Sequence, residues 1–202
     1  MQQLRRNYLS VIIYCLIMGR CALWNIQVSG VIIVDNIILI GMPGSGKSSV
    51  GVVLAKALGM DFLDADLLIQ SREGELLQSI LDTRGVETFL DVESEVIRSV
   101  NCKRTVIAPG GSCVCRDDAM EHLRNLGTVV YLKLSYPEVV TRIHNLDSRG
   151  IALQPGQTLA DVYDYRTPRY ERYADLTVDA DGQSLVETIE CVKRALQSRA
   201  DG

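Results

Sequence analysis

Residues 36–58 read NIILI-GMPGSGKS-SVGVVLAKAL. A five-residue apolar run (Asn36–Ile40) has strand character, and Ser48–Leu58 carries apolar residues at helical spacing. Between them lies Gly41-x4-Gly46-Lys47-Ser48, the spacing of a phosphate-binding loop. In such a loop the glycines let backbone N–H groups curl around phosphates, and the helix that follows presents its positive end. Gly44, Ser45, Gly46, Lys47, Ser48 and Ser49 are therefore the expected nucleotide-binding residues. Lys47 should reach the terminal phosphates, and the Ser48 hydroxyl should ligate Mg²⁺. GTPases, ATPases and small-molecule kinases all use this element, so it does not identify the acceptor.

Outward from the loop, further strands are expected at Asp61–Leu63, Thr105–Ala108, Thr128–Leu132 and Leu176–Val178. Helical spacing occurs over Glu87–Val100, Asp117–Leu126, Tyr136–Asn145 and Ser184–Ser198. Strands alternating with helices predict an α/β fold, here a P-loop three-layer sandwich with a five-stranded parallel sheet and helices on both faces. Two helix starts read as capping boxes, Ser135-Tyr-Pro-Glu138 and Ser184-Leu-Val-Glu187. Asp147–Gln157 lacks periodicity and is expected to be a mobile lid.

The whole chain has 202 residues, 47% hydrophobic and 23% charged, enough to bury one enzyme-sized core. A net charge of −4 gives no bulk attraction to nucleic acid or anionic membrane, so a bound anion must be met by individual basic residues. The six cysteines lack paired CxxC spacing, and only His122 and His144 are present to complete a zinc set. They read as reduced thiols of a cytoplasmic protein.

Residues 1–33 form a separate N-terminal extension with a basic start and an apolar stretch from Tyr8 to Met18. The stretch is short for a bilayer span and is interrupted by Gly19-Arg20. A mis-assigned start, with Val34 as the natural initiator, is the favoured reading. A dispensable extension and a membrane-targeting segment are the alternatives. Residues 34–202 are expected to form the catalytic domain, without a membrane partner.

After the loop comes Asp64-Ala-Asp66, within the segment FLDAD, expected at a strand end with both carboxylates facing the phosphates. One would serve Mg²⁺ through water and the other would accept a proton from a hydroxyl acceptor. No base-reading NKxD segment of the GTPase type occurs.

With these motifs assembled, the chain resembles the shikimate kinase family, small P-loop enzymes of the nucleoside-monophosphate-kinase type. The resemblance rests on GMPGSGKSSVG, FLDADLLIQ, GVETFLDVE (85–93), APGGS (108–112), the arginine of SRGIAL and RTPRYERYAD (166–175). It implies phosphoryl transfer from ATP to a small hydroxylated substrate, by a monomer. It also implies that Lys47 stabilises the transferring group, that Ser48 and Asp64 serve Mg²⁺, and that Asp66 contacts the substrate hydroxyls as a possible base. Arg149 would close over the phosphates from the lid, Arg142 would pack on adenine, and Arg166 would hold the substrate carboxylate. Gly110 and Gly111 would line the substrate site through their backbone.

The chain departs from the family pattern in three places. The segment G-E-x-x-F-R-x-x-E keeps Gly85, Phe89 and Glu93 but has Leu90 at the arginine position; the triple glycine becomes Gly110-Gly111-Ser112; and RPLL becomes Arg149-Gly150-Ile151-Ala152. Either Arg72, Arg84 or Arg116 supplies the missing charge for shikimate, or the pocket takes another hydroxylated metabolite. A noncatalytic nucleotide-binding module is the third reading.

Overall fold

Strand β1 (Asn36–Ile40) is buried along its whole length, which its unbroken apolar run requires of a strand covered on both faces. The computed structural model describes residues 35–144, 151–154 and 156–200. The readings of residues 1–33 and Arg149 lie outside them, as do Cys15 and Cys21.

Five strands, β1, β2 (Asp61–Asp64), β3 (Thr105–Ala108), β4 (Thr128–Lys133) and β5 (Leu176–Asp179), form one sheet in the order β2-β3-β1-β4-β5. All pairings are parallel, with Ile37 opposite Val106 on one side and Thr128 on the other. Helix α1 (Lys47–Leu58) follows β1 directly and packs against β2 and β3. The chain then continues through α2 (Ala65–Glu73), α3 (Leu77–Ser99), α4 (Asp117–Leu126), α5 (Tyr136–His144), α6 (Leu159–Tyr173) and α7 (Leu185–Ala200). Helices α1 and α7 pack together, whereas α4 and α6 contact β4. The larger core joins Ile38, Ile40, Ile107, Val129 and Tyr131 to Met120, Leu123, Tyr170 and Tyr173.

This is the expected three-layer sandwich. Since β1 lies between β3 and β4, the loop leaving its carboxyl end sits where the strand order reverses, the usual ligand crevice of an open parallel sheet. Among the described residues no helix is long and apolar enough to cross a membrane.

Several local expectations are corrected. Strand β2 ends at Asp64, and Asp66 lies in the first turn of α2, so strand alternation does not orient the two carboxylates. The Asp64 side chain caps α2 by accepting the Asp66 N–H at 3.0 Å. Helix α3 begins at Leu77, ten residues before the expected start, and Gly85 (φ 79°, ψ 169°) kinks it. The left-handed φ explains why a glycine occupies this position.

The Ser184/Glu187 capping box forms with both reciprocal bonds. At Ser135, however, Asp181 accepts the backbone N–H, while Glu138 pairs with Arg142 at 2.7 Å. A capping box that the sequence reading missed, Thr158 with Asp161, starts α6.

Candidate active site

The phosphate loop is shaped by Gly44 and Gly46, whose φ values of 82° and 88° lie in the left-handed region. The Lys47 ammonium donates to the carbonyls of Gly41 (2.9 Å) and Met42 (3.1 Å). It is thereby folded back over the loop that precedes it. Burial lowers its pKa, opposed by the facing carboxylates of Asp66 and Asp64. Ser48 is partly exposed in the first turn of α1, and Ser49 is exposed. Ser45 is buried.

Arg142 lies against this loop. A Cβ on Gly44 would come within 3.3 Å of the Arg142 Cβ. The Arg142 guanidinium is held by Glu138 and by the Ala180 carbonyl at 2.8 Å, tying α5 to the turn after β5.

The second half of the site comes from β3. Gly111 packs on Pro43 so closely that a Cβ there would come within 3.0 Å of the proline ring. A Cβ on Gly110 would collide with Glu93 Oε1 and approach Asp66 Oδ1 to 2.9 Å. Two carboxyl groups, one from α3 and one from α2, therefore converge on the bare face of Gly110. Ser112, at the place of the family's third glycine, has φ −92° and ψ −5°, a conformation open to any residue. Its replacement of glycine strains nothing, and it faces Glu93.

Arg166 is buried on α6, 4% exposed, and donates to the Ala152 carbonyl at 3.1 Å. It faces Tyr170, Cys115, Glu93 and Cys113. Burial raises the Cys113 and Cys115 thiols above their ordinary range, so neither is an activated nucleophile. The four described cysteines are free thiols.

The structure thus brings Lys47, Asp64, Asp66, Gly110, Gly111, Glu93 and Arg166 to the carboxyl ends of β1, β2 and β3. Arg72, Arg84 and Arg116 do not supply an open cation. Arg72 pairs with Glu95 at 2.9 Å, Arg84 with Glu73 and Glu75 at 2.7 Å each, and Arg116 with Glu87 at 2.8 Å and Asp91 at 2.9 Å. Leu90 is buried at 6% exposure in an apolar cluster with Ile69, Ile80, Phe89, Val96 and Ala152. Sequence reasoning missed Tyr170 and Ser112 as site-supporting residues. The Arg166-x3-Tyr170 spacing, which stacks the two on one helical face, was the available signal.

The shikimate kinase family model matches residues 43–197, a span that contains the phosphate loop from Pro43 onward, both carboxylates, the glycine pair and Arg166. This chain belongs to the shikimate kinase family. A shikimate kinase of Thermodesulfovibrio yellowstonii is 34% identical over 170 residues, covering 83% of this chain and 98% of the relative. Another, from Methylococcus capsulatus, is 39% identical over 165 residues, covering 80% and 92%. Among solved structures, the shikimate kinase of Acinetobacter baumannii in complex with shikimate matches with TM-score 0.74 at 30% identity, covering 82% of this chain and 94% of that one. The Aquifex aeolicus shikimate kinase matches with TM-score 0.67 at 27% identity, covering 82% and 98%.

Like other members of the shikimate kinase family, the chain takes ATP as phosphoryl donor. The donor set fits Mg²⁺: a partly exposed hydroxyl at Ser48 and a partly exposed carboxylate at Asp64 are hard oxygen ligands. Mg²⁺ commonly binds through one or two such groups, with water and phosphate completing its shell.

Proposed function

We propose that the chain is an ATP-dependent shikimate kinase, transferring the γ-phosphoryl group of ATP to a hydroxyl of shikimate. The reading is carried by the convergence at Gly110 and Gly111, where the acceptor loop touches both the donor loop, through Pro43, and the carboxyl groups of Asp66 and Glu93. Donor and acceptor chemistry thus share one wall, as in-line transfer requires.

In this reading the backbone N–H groups of Gly44, Ser45 and Gly46, with Ser49, hold the phosphates, and Lys47 stabilises the charge that develops on the transferring group. Ser48 and Asp64 would hold Mg²⁺, which neutralises phosphate charge when bound. Asp66 orients the acceptor hydroxyl and takes its proton as the oxygen attacks phosphorus and the bond to ADP breaks. Arg166 pairs with the acceptor's carboxylate, and the backbone of Gly110 and Gly111 lines its ring. Arg142 packs on adenine, and Arg149 closes over the phosphates from the lid, excluding water.

The buried Leu90 favours a second reading, a kinase for another small hydroxylated metabolite, because it leaves a carboxylate one cation fewer than the family pattern provides. The test is a coupled ADP-release assay on the full-length protein with Mg²⁺, shikimate and a panel of hydroxy acids and polyols. Turnover with shikimate, abolished by Asp66→Asn while ATP still binds, supports the first reading. Turnover with another acceptor alone supports the second, and ATP binding without any acceptor-dependent turnover supports a noncatalytic module.

We further read the catalytic unit as residues 34–202 acting as a cytoplasmic monomer. Sedimentation of the purified protein checks the monomer.

A further inference from the structure

Glu93 is 1% exposed, and its Oε1 has no hydrogen-bond partner. A carboxyl group so buried must be neutral, paired or costly. The groups facing it are Lys47 from α1, Asp66 from α2, Ser112, Cys113 and Cys115 from the segment after β3, and Arg166 from α6. On the neighbouring α4, Asp117 accepts from the Tyr173 hydroxyl at 2.6 Å, and Asp118 accepts from Ser94 at 2.9 Å and pairs with Arg98 at 3.2 Å. A guanidinium at position 90 would be one helical turn from Glu93, but Leu90 is there. Two acids, Asp66 and Glu93, therefore share Lys47 and Arg166, and Lys47 is folded into the donor loop.

We propose that Glu93 controls acceptor affinity by competing with the acceptor's carboxylate for Arg166. Neutral Glu93 leaves the guanidinium available to the incoming anion. Ionised Glu93 neutralises it and adds repulsion. This deepens the reading of the site as one for a hydroxylated carboxylic acid and rests on it. Burial, reinforced by Asp66 and opposed by Ser112, Arg166 and Lys47, pushes the Glu93 carboxyl up to about 7. The competition is therefore set within the neutral range. Acceptor binding weakens as pH rises through it, while ATP, held by the loop around Lys47, does not follow.

The experiment measures the shikimate Michaelis constant of the full-length protein from pH 6 to 8 at saturating ATP and Mg²⁺, for wild type and Glu93→Gln. ATP affinity is titrated alongside. The wild-type constant should rise about tenfold over this range, and Glu93→Gln should stay near the low-pH value throughout. Turnover with a flat wild-type profile, or the same slope in both proteins, overturns the inference while leaving the acceptor reading intact. No shikimate turnover at any pH overturns both. If Glu93→Gln does not fold, Leu90→Arg serves instead. A cation beside Glu93 should hold it ionised and flatten the profile, and an unchanged slope in the folded variant overturns the proposal.

Discussion

The hydroxyl of Tyr170 donates to the carbonyl of Gly111, joining α6 to the glycine pair that faces the phosphate loop. Tyr170 lies one turn beyond Arg166 and stacks on Tyr131 of β4, with ring centroids 5.1 Å apart. One helix therefore fixes both the buried Arg166 and the glycine loop beside it.

Tyr170→Phe removes the buried donor and leaves the part-buried Gly111 carbonyl short of a partner, which costs about 1–3 kcal/mol. The expected outcome is a lower unfolding free energy by that amount. The Michaelis constant for shikimate should rise about fivefold with little change in ATP affinity. Denaturant titration and steady-state kinetics check the two parts separately.

Gly110→Ala should abolish acceptor use while preserving nucleotide binding. The added methyl meets the Glu93 and Asp66 carboxyl groups, which are held by different helices and cannot both retreat without disturbing the site. A fall in kcat/KM for shikimate of about 100-fold or more is expected. Retained ATP affinity shows that the fold survives; retained shikimate turnover would show that the two carboxyl groups are freer than their packing implies.

Glu93 also couples stability to pH. Its pKa is raised from 4.5 to about 7, so above pH 4.5 the folded state keeps a proton that the unfolded chain releases. Stability is then fully present below about 4.5 and falls as pH rises to about 7, by at most about 3 kcal/mol for this buried group. Chemical denaturation of wild type and Glu93→Gln at pH 5 and 8 should show the wild type losing stability relative to the variant. Parallel pH dependence would remove Glu93 as the cause.

Leu90→Arg should lower the Michaelis constant for shikimate by restoring the family's cation. It should also destabilise the fold by about 2–4 kcal/mol, because Leu90 now fills an apolar cluster with Phe89, Ile80 and Ala152. Kinetics together with thermal melts test this. A stable variant with an unchanged or higher constant would indicate that the pocket is built for another acceptor.

The sequence by itself determined the sheet and the donor loop. Strand β1 was legible because it is buried on both faces and therefore apolar throughout. The loop was legible because backbone curling around phosphate demands glycine at fixed spacing. The family followed from motifs in order along the chain. Helices α2 and α6 were harder to read. Asp64 acts as a cap, a role its residue type shares with strand ends and turns, and α6 mixes buried Arg166, Tyr170 and Tyr173 with exposed polar residues.

Only the tertiary structure decided how the acceptor end is charged. That Arg72, Arg84 and Arg116 are occupied by carboxylates, that Leu90 is packed away, and that Glu93 and Asp66 meet over Gly110 depend on contacts between residues 9 to 62 positions apart. Such contacts leave no local periodicity. The availability of a charge depends on what the folded chain sets beside it, and the residue's own identity does not reveal that.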